Sequence, residues 1–225
     1  MRAHVLPSPG RNHAAGTKAR ARSEGSGFTE AAPPVATERL GHDVNDDELM
    51  HGIAAGDENA FRLLVKRWER PVFAFLFHML QVVDEAEDLC QETFIRVHKQ
   101  AGRYRPEGKF KSWLFRIAGN LARSLLRRRK ILRWVRFDAV QHDQQSSSSA
   151  PDRDLEQKQL QQIVRRALAR LPDRQREAVV LRRYQDMSYR EIAETLGTTS
   201  AAVESLLQRA ATALRRDLAG KVELS

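Results

Sequence analysis

The chain has 225 residues, of which 41% are hydrophobic and 30% are charged, and its formal net charge is +9. It contains no run of 18 apolar residues, so no transmembrane helix is expected, and its first residues lack the apolar segment of a secretory signal. Cys90 is the only cysteine, which excludes an intramolecular disulfide and a multi-cysteine zinc site. We therefore expect a soluble protein in a reducing, cytoplasmic environment, with no cofactor.

Changes in composition divide the chain into two folded blocks. Residues 1–43 are rich in Pro, Gly, Ala and Arg without periodicity, which predicts a disordered leader. The polar, Ser-rich residues 137–154 predict a flexible linker, and residues 219–225 form a short tail. The blocks that remain, 44–136 and 155–218, show helical periodicity and no alternating strand pattern. We predict an all-α fold of two small helical domains.

The first block begins with two predicted helices. Asp46 or Asp47 is expected to cap a short helix that ends at Ala54. The Gly-Asp pair at 56–57 is expected to start a second helix. Pro71 lies within the helical pattern of this second segment, so we expect a kink or a break there.

A third helix is predicted over the acidic segment DEAEDLCQETFIRVHKQA, which ends before Gly102. Its apolar stripe comprises Ala86, Leu89, Cys90, Phe94, Val97 and Ala101. The carboxylates could be interpreted as a metal site with His78 or His98 as further ligands. However, they lie along one solvated helix, and the HExxH, P-loop and nucleophile-elbow motifs are absent. We therefore expect a protein that is not an enzyme.

The fourth helix, predicted over residues 112–130, lies in a strongly basic segment. Residues 101–136 carry 12 basic side chains and one acidic side chain. A helical wheel places apolar residues on one face: Leu114, Ile117, Ala118, Leu121 and Leu125. The opposite face carries Arg116, Asn120, Arg123, Arg127 and Lys130. Such a concentrated basic face indicates that the helix binds a polyanion, most often nucleic acid. The alternative is that these charges form an ordinary solvated surface with no ligand.

Aromatic residues adjoin this basic face. Exposed bases stack on aromatic rings, so the loop of residues 103–111 together with Phe110, Trp113 and Phe115 could hold an unstacked base. The alternative is that these rings belong to the hydrophobic core of a small domain.

The second block predicts a helix-turn-helix. Its helices are expected near 155–170, 173–184, 188–195 and 199–217. The first of them is expected to end before Leu171-Pro172. The small Ala193, the turn residue Gly197 and the apolar pair Val203 and Leu206 have helix-turn-helix spacing. The last helix would enter the major groove with its outward residues Ala201, Ser205, Gln208 and Thr212. Glu204, on one flank, either accepts a hydrogen bond from a cytosine amine or repels phosphate. Arg209 lies on the other flank.

Together these motifs resemble the bacterial RNA polymerase sigma factors of the extracytoplasmic-function group, within the sigma-70 family. The similar segments are GDENAFRLLVKRW at 56–68, DEAEDLCQETFIRVHK at 84–99, FKSWLFRIAGNLARSLLRRRK at 110–130 and LPDRQREAVVLRRYQDMSYREIAETLG at 171–197. They occur in the order found in that family and span most of both blocks.

The resemblance implies a factor that directs core RNA polymerase to promoters. Block 44–136 would dock on the polymerase clamp helices through Asp88, Gln91, Glu92 and Ile95. It would melt and read the minus-ten element as a single strand through Tyr104, Lys109, Phe110, Lys111, Trp113, Arg116, Asn120, Arg123 and Arg127. Block 155–218 would bind the polymerase flap. It would read the minus-thirty-five duplex through Thr199, Ser200, Ala201, Glu204, Ser205, Gln208 and Arg209. An anti-sigma factor is a further expected partner.

The chain departs from the family pattern at several positions. Ser124 stands where the family often has Asp, and the recognition helix carries Glu204, Leu206 and Ala211 where a more basic run is usual. An alternative interpretation is a helix-turn-helix regulator that never docks on polymerase. The acidic helix, which would have no role in such a regulator, favours the sigma-factor interpretation.

Overall fold

The computed structural model describes residues 44–135 and 153–219. The predicted leader lies outside these ranges, as do most of the tail and the linker. Residues 153 and 154, which we predicted to end the linker, instead begin a helix.

Eight α-helices account for nearly all of the described residues. The first block contains α1 (Asp46–Ala54), α2 (Glu58–Leu80), α3 (Val83–Gln100), a short 3₁₀ turn (Ala101–Arg103) and α4 (Phe110–Val135). The second contains α5 (Arg153–Arg170), α6 (Asp173–Tyr184), α7 (Tyr189–Leu196) and α8 (Ser200–Ala219). No strand occurs in the described ranges, and the all-α prediction is confirmed. No helix among these is long and apolar enough to cross a membrane.

The N-terminal cap of α1 differs from the prediction. Asn45, not Asp46 or Asp47, is the cap, because its backbone is extended and its Oδ1 accepts from the Glu48 backbone N–H at 2.8 Å. The Glu48 carboxylate accepts in return from the Asn45 N–H at 3.2 Å, which completes a capping box. The acids at 46 and 47 lie in the first turn and are free for other contacts.

Helix α2 continues through Pro71, so of the two predicted outcomes the break is wrong, while the kink stays a prediction. Leu64, Val72 and Phe75 on either side of the proline are fully buried. Their packing keeps the helix continuous despite the hydrogen bond that a proline cannot donate. Asp57 caps the helix as predicted, since its Oδ1 accepts from the Asn59 N–H at 2.8 Å.

Helix α3 buries the predicted stripe, although Leu89 is only half-buried. Thr93 is also fully buried, and its hydroxyl donates to the Leu89 carbonyl oxygen at 2.6 Å. This internal hydrogen bond lets a polar residue occupy the buried face. The helix ends at Gln100, and Gly102 lies in the 3₁₀ turn that follows rather than directly ending the helix.

The larger of two hydrophobic clusters contains residues of both blocks. Phe75, Met79 and Phe115 from the first block belong to the same buried cluster as Leu181 and Ile192 from the second. A smaller cluster surrounds Leu168, Leu171 and Ala210. The blocks therefore pack directly on each other, which the sequence pattern did not predict.

Arg176 joins three helix ends at the junction of the blocks. Its buried guanidinium donates to the carbonyl oxygens of Leu168 at 2.9 Å, Ala169 at 2.6 Å and Leu171 at 3.2 Å. It also donates to the Met79 carbonyl oxygen, near the end of α2, at 2.6 Å. Helix C-termini leave unpaired carbonyls, and this one arginine satisfies several of them. Each nitrogen of the buried guanidinium thus has a hydrogen-bond partner, which offsets the cost of burying its charge.

Candidate nucleic-acid interface

The two predicted faces of α4 are present in the structure. Leu114, Ile117, Ala118 and Leu121 are buried and Leu125 is half-buried. On the other side Arg116, Asn120, Arg127 and Lys130 are exposed, whereas Arg123 is half-buried. We call the side formed by Lys109, Lys111, Arg116, Asn120, Arg123, Arg127 and Lys130 the basic face.

A cavity of about 380 Å³ opens where the loop meets the start of α4. Its walls include Arg103, Tyr104, Lys109, Trp113, Arg116 and Glu194. Tyr104 and Trp113 approach to 4.9 Å between ring centroids, and both rings are partly exposed. Aromatic and cationic side chains around an open cavity provide the features that bind an unstacked base and its phosphate.

Asp47 anchors the loop that forms this cavity. Its Oδ1 accepts from the Tyr104 hydroxyl at 2.5 Å, and its Oδ2 accepts from the Gly108 backbone N–H at 2.8 Å. Burial first, and then this hydrogen bond, raise the pKa of Tyr104, so the phenol stays a donor. Gly108 has a φ of +67°, a conformation that favours glycine. Sequence reasoning considered Asp47 only as a helix cap.

Two of the aromatic residues near the cavity belong to the core. Phe115 is fully buried, as the core alternative for this ring predicted. Phe110 is only 3% exposed and packs between Trp68 and Tyr104, so the prediction that it contacts DNA is not met in this arrangement. Phe110 supports Tyr104 and Trp113 from behind instead.

Several cations of the basic face contact the second block. The Lys111 ammonium donates to the Gln185 carbonyl oxygen at 2.6 Å, and Arg123 pairs with the buried carboxylate of Glu177. Burial raises the pKa of Glu177, and the Arg123 guanidinium opposes that shift. Sequence reasoning missed Glu177, because its partner lies 54 residues away in the chain.

The residues predicted to dock on polymerase form one patch on α3. Asp88, Gln91 and Ile95 are exposed, and Ile95 presents 46% of its surface to solvent. Glu92 is half-buried and accepts from Arg96 Nε at 2.7 Å. An exposed isoleucine bordered by acids suits a protein partner better than DNA.

The helix-turn-helix is formed by α7 and α8. Ser188 and Glu191 make a capping box at the start of α7, and Gly197 ends that helix with a φ of +62°, as the spacing predicted. Thr199 Oγ1 accepts from the Ala202 N–H at 3.2 Å and so caps α8. The outward residues Ala201, Ser205, Gln208 and Thr212 are exposed, as are Ser200, Glu204 and Arg209.

Neither the acids of α3 nor any other group of His, Cys, Asp or Glu could hold a metal ion within the part of the chain that the structure describes. Cys90 packs on the buried side of α3, where its thiol donates to the Glu69 carbonyl oxygen at 3.7 Å. Burial, followed by the charge of Glu69, raises the pKa of the Cys90 thiol to about 11. A thiol with this pKa is poorly nucleophilic at neutral pH.

Comparison with known proteins gives matches to two separate regions of the chain. Residues 64–131 match the family model for sigma-70 region 2, and residues 161–214 match that for sigma-70 region 4. The ECF RNA polymerase sigma-E factor of Escherichia coli K12 is 30% identical over 184 residues, covering 78% of this chain and 95% of its own.

Two solved structures have a similar fold. CnrH, in complex with the cytosolic domain of CnrY, is 26% identical with a TM-score of 0.61, covering 78% of this chain and 98% of its own. The sigma factor RpoE of Bartonella quintana, in complex with the anti-sigma factor NepR, is 24% identical with a TM-score of 0.58. It covers 72% of this chain and 98% of its own, and at that identity the likeness concerns the fold alone.

Proposed function

The chain belongs to the extracytoplasmic-function sigma factors of the sigma-70 family, and from this membership we propose that it reads promoter DNA through two surfaces of opposite kind. The basic face of α4 binds a melted single strand, and helix α8 binds an intact duplex. The observation that carries this proposal is the one-sided basic face of α4, which adjoins an open cavity walled by Tyr104 and Trp113.

The basic face and the cavity bind the minus-ten element as a single strand. Arg116 and Arg127 are exposed on that face with Asn120 between them, and such side chains bind the phosphates that position a nucleic acid on a protein. Flipping a base costs a few kcal/mol, whereas stacking on an aromatic ring contributes about 1–3 kcal/mol per base. The two energies are comparable, so capture of flipped bases can favour strand opening without ATP.

Helix α8 reads the minus-thirty-five element as duplex. Its exposed residues Ser205 and Gln208 would face base edges in the major groove, and a glutamine can bind adenine with two hydrogen bonds. Arg209 would contact phosphate. The mixed character of this helix, with Glu204 on its flank, implies weaker non-specific attraction to DNA than a wholly basic recognition helix would have.

Docking on core polymerase uses the α3 patch of Asp88, Gln91, Glu92 and Ile95, with the flap as a second contact for block 155–218. The structure of CnrH, which shares the fold, has been solved in complex with the cytosolic domain of CnrY. We infer that an anti-sigma factor binds this chain, and that the chain acts in the cytoplasm, where polymerase is found. The protein is a DNA-binding specificity factor and not an enzyme.

The test is transcription with purified core polymerase on a genomic promoter library. The reconstituted enzyme should give run-off products, and core alone should not. Absence of any product would contradict the proposal.

On a selected promoter, permanganate footprinting then measures strand opening by Arg116→Ala, Asn120→Ala and Arg127→Ala. Loss of a nucleic-acid contact costs about 1–3 kcal/mol, so each variant should form open complexes at least about fivefold less well, with initial duplex binding little changed. Arg62→Ala, an exposed arginine on α2, is the matched control. Normal opening in all three variants would exclude α4 as the reader.

A further inference from the structure

Another cavity opens further along α4 than the one walled by aromatic rings. Its volume is about 710 Å³, which is within the range of small-molecule sites. Three helices supply its walls, and we call it the α3–α4–α6 cavity. The cations that line it are Arg96 from α3, Arg123, Arg127 and Lys130 from α4, and Arg174 from α6.

Three of these arginines, one from each helix, keep hydrogen-bond donors for a ligand. Arg96 uses its Nε for the Glu92 carboxylate at 2.7 Å, and Arg174 uses its Nη1 for the Leu196 carbonyl oxygen at 3.2 Å. Arg127 is exposed, and its guanidinium has no partner among the residues that the structure describes. Since a guanidinium carries five N–H donors, most of the donors on these three side chains are available.

The cavity keeps a surplus of positive charge after its ion pairs are considered. The pairs are Lys130–Asp173 at 2.8 Å, Arg96–Glu92 at 2.7 Å and Arg123–Glu177. Within the described ranges, Arg127 and Arg174 form no ion pair. The charges of these two arginines are therefore not neutralised by the protein, and an anionic ligand would neutralise them.

The chemistry of the walls selects for phosphate groups. An arginine fork binds a phosphate through two parallel charge-assisted hydrogen bonds. Leu121 is the one apolar side chain among the described residues of the wall, and no aromatic ring is among them, so a nucleobase would find nothing on which to stack. A chain of linked phosphates offers more charge and more acceptors than a single phosphate, and it can pair with Arg96, Arg127 and Arg174 together.

We propose that the α3–α4–α6 cavity binds a short chain of linked phosphates, either as a free inorganic chain or as the tail of a nucleotide. Arg96 and Arg174 belong to this site alone, whereas Arg127 also lies on the basic face of α4. The inference goes beyond the proposed reading of promoter DNA and does not depend on it, because the ligand is held by residues of α3 and α6 that the DNA proposal does not use.

Isothermal titration calorimetry tests the site with the full chain. The probes are tripolyphosphate, ATP without magnesium and orthophosphate, in about 0.15 M salt, where the Debye length is about 8 Å and distant surface charges contribute little. Arg174→Gln removes a cation from the wall, and Asp173→Asn removes the acid from the wall. Arg183→Gln is the matched control, since it makes the same substitution at an exposed position of α6 outside the cavity.

The parent chain should bind tripolyphosphate saturably, and ATP with similar affinity, whereas orthophosphate should bind at least about tenfold more weakly. Arg174→Gln should weaken the binding of tripolyphosphate at least about tenfold, the effect of one hydrogen bond to a charged group, and Arg183→Gln should bind as the parent does. Asp173→Asn should tighten the binding by up to about fivefold, because it removes a negative charge and releases Lys130. This gain of affinity still tests the site if Arg174→Gln fails to fold.

Absence of saturable binding of tripolyphosphate by the parent would overturn the inference. Equal losses of affinity in Arg174→Gln and Arg183→Gln would overturn it as well, since they would reflect only the net positive charge of the chain. An affinity for ATP at least tenfold above that for tripolyphosphate would show that a nucleoside is recognised, which contradicts a site for the phosphate chain. An affinity for ATP at least tenfold below it would support the inference and identify the free inorganic chain as the ligand.

Discussion

At the scale of single residues, His78 connects the packing of the two blocks to pH. Its ring stacks on Tyr184 of the second block, with centroids 3.8 Å apart, and its buried Nδ1 has no hydrogen-bond partner within the described residues. Burial, and then the charge of Arg165, lower the pKa of His78. The native state therefore favours the neutral imidazole and resists protonation.

We predict that His78 makes stability fall in mild acid. Below about pH 6.5 the unfolded chain binds a proton at this histidine that the native chain does not, so unfolding becomes easier as the pH drops towards the lowered native pKa. The largest possible slope for one group is about 1.4 kcal/mol per pH unit. Urea titrations between pH 5 and pH 8 measure the free energy of unfolding. That free energy should depend less on pH in His78→Phe, which keeps the ring stack, than in the parent. Identical profiles would exclude His78 as the cause.

At the scale of elements, the two sides of α3 differ in burial. One side is buried in the core, and the other presents the patch around Gln91 and Ile95. We predict that Gln91→Ala combined with Glu92→Lys weakens binding to core polymerase at least about tenfold, because it reverses a charge in the proposed contact. Loss of the Glu92–Arg96 pair should cost only about 0.3–0.5 kcal/mol in folding.

A fluorescence titration of labelled protein with core polymerase measures this effect. Glu69→Lys, a charge reversal at an exposed position of α2, is the control and should bind core polymerase as the parent does. Unchanged affinity of the α3 variant would remove the patch from the docking surface.

The helices also show what a sequence pattern can and cannot reveal. The period of α4 predicted which side carries Leu114 and Leu121 and which carries Arg116, since that information is local. It did not predict that Gly119 and Ser112 are buried as well. Their neighbours Glu177 and Glu191 lie in the second block, and no local periodicity identifies so distant a partner. The same holds for Asp47, which supports a loop that follows it by more than 50 residues.

At the scale of the whole molecule, the shared core determines how the chain unfolds. Met79 and Phe115 of the first block belong to the same buried cluster as Leu181 of the second, and Arg176 hydrogen-bonds to both blocks. Elements that share a core in this way lose much of their stability when separated. Although the family models match two separate regions, the free chain should therefore behave as one cooperative unit.

We predict a single calorimetric transition for the parent chain, with a ratio of calorimetric to van't Hoff enthalpy close to one. Gly119→Ala should divide it into two transitions, because a Cβ at position 119 would clash with Glu177 Oε1 and displace the carboxylate that pairs with Arg123. Breaking a buried ion pair costs of the order of 3–5 kcal/mol where one charge stays buried, which weakens the second block, whereas alanine adds about 1 kcal/mol of helix propensity to α4 in the first. Gly102→Ala is the control and should retain one transition, because no heavy atom lies within 4 Å of a Cβ added at that position. Two transitions in the parent chain itself would show that the blocks fold independently and that the contact between α4 and α6–α7 contributes little.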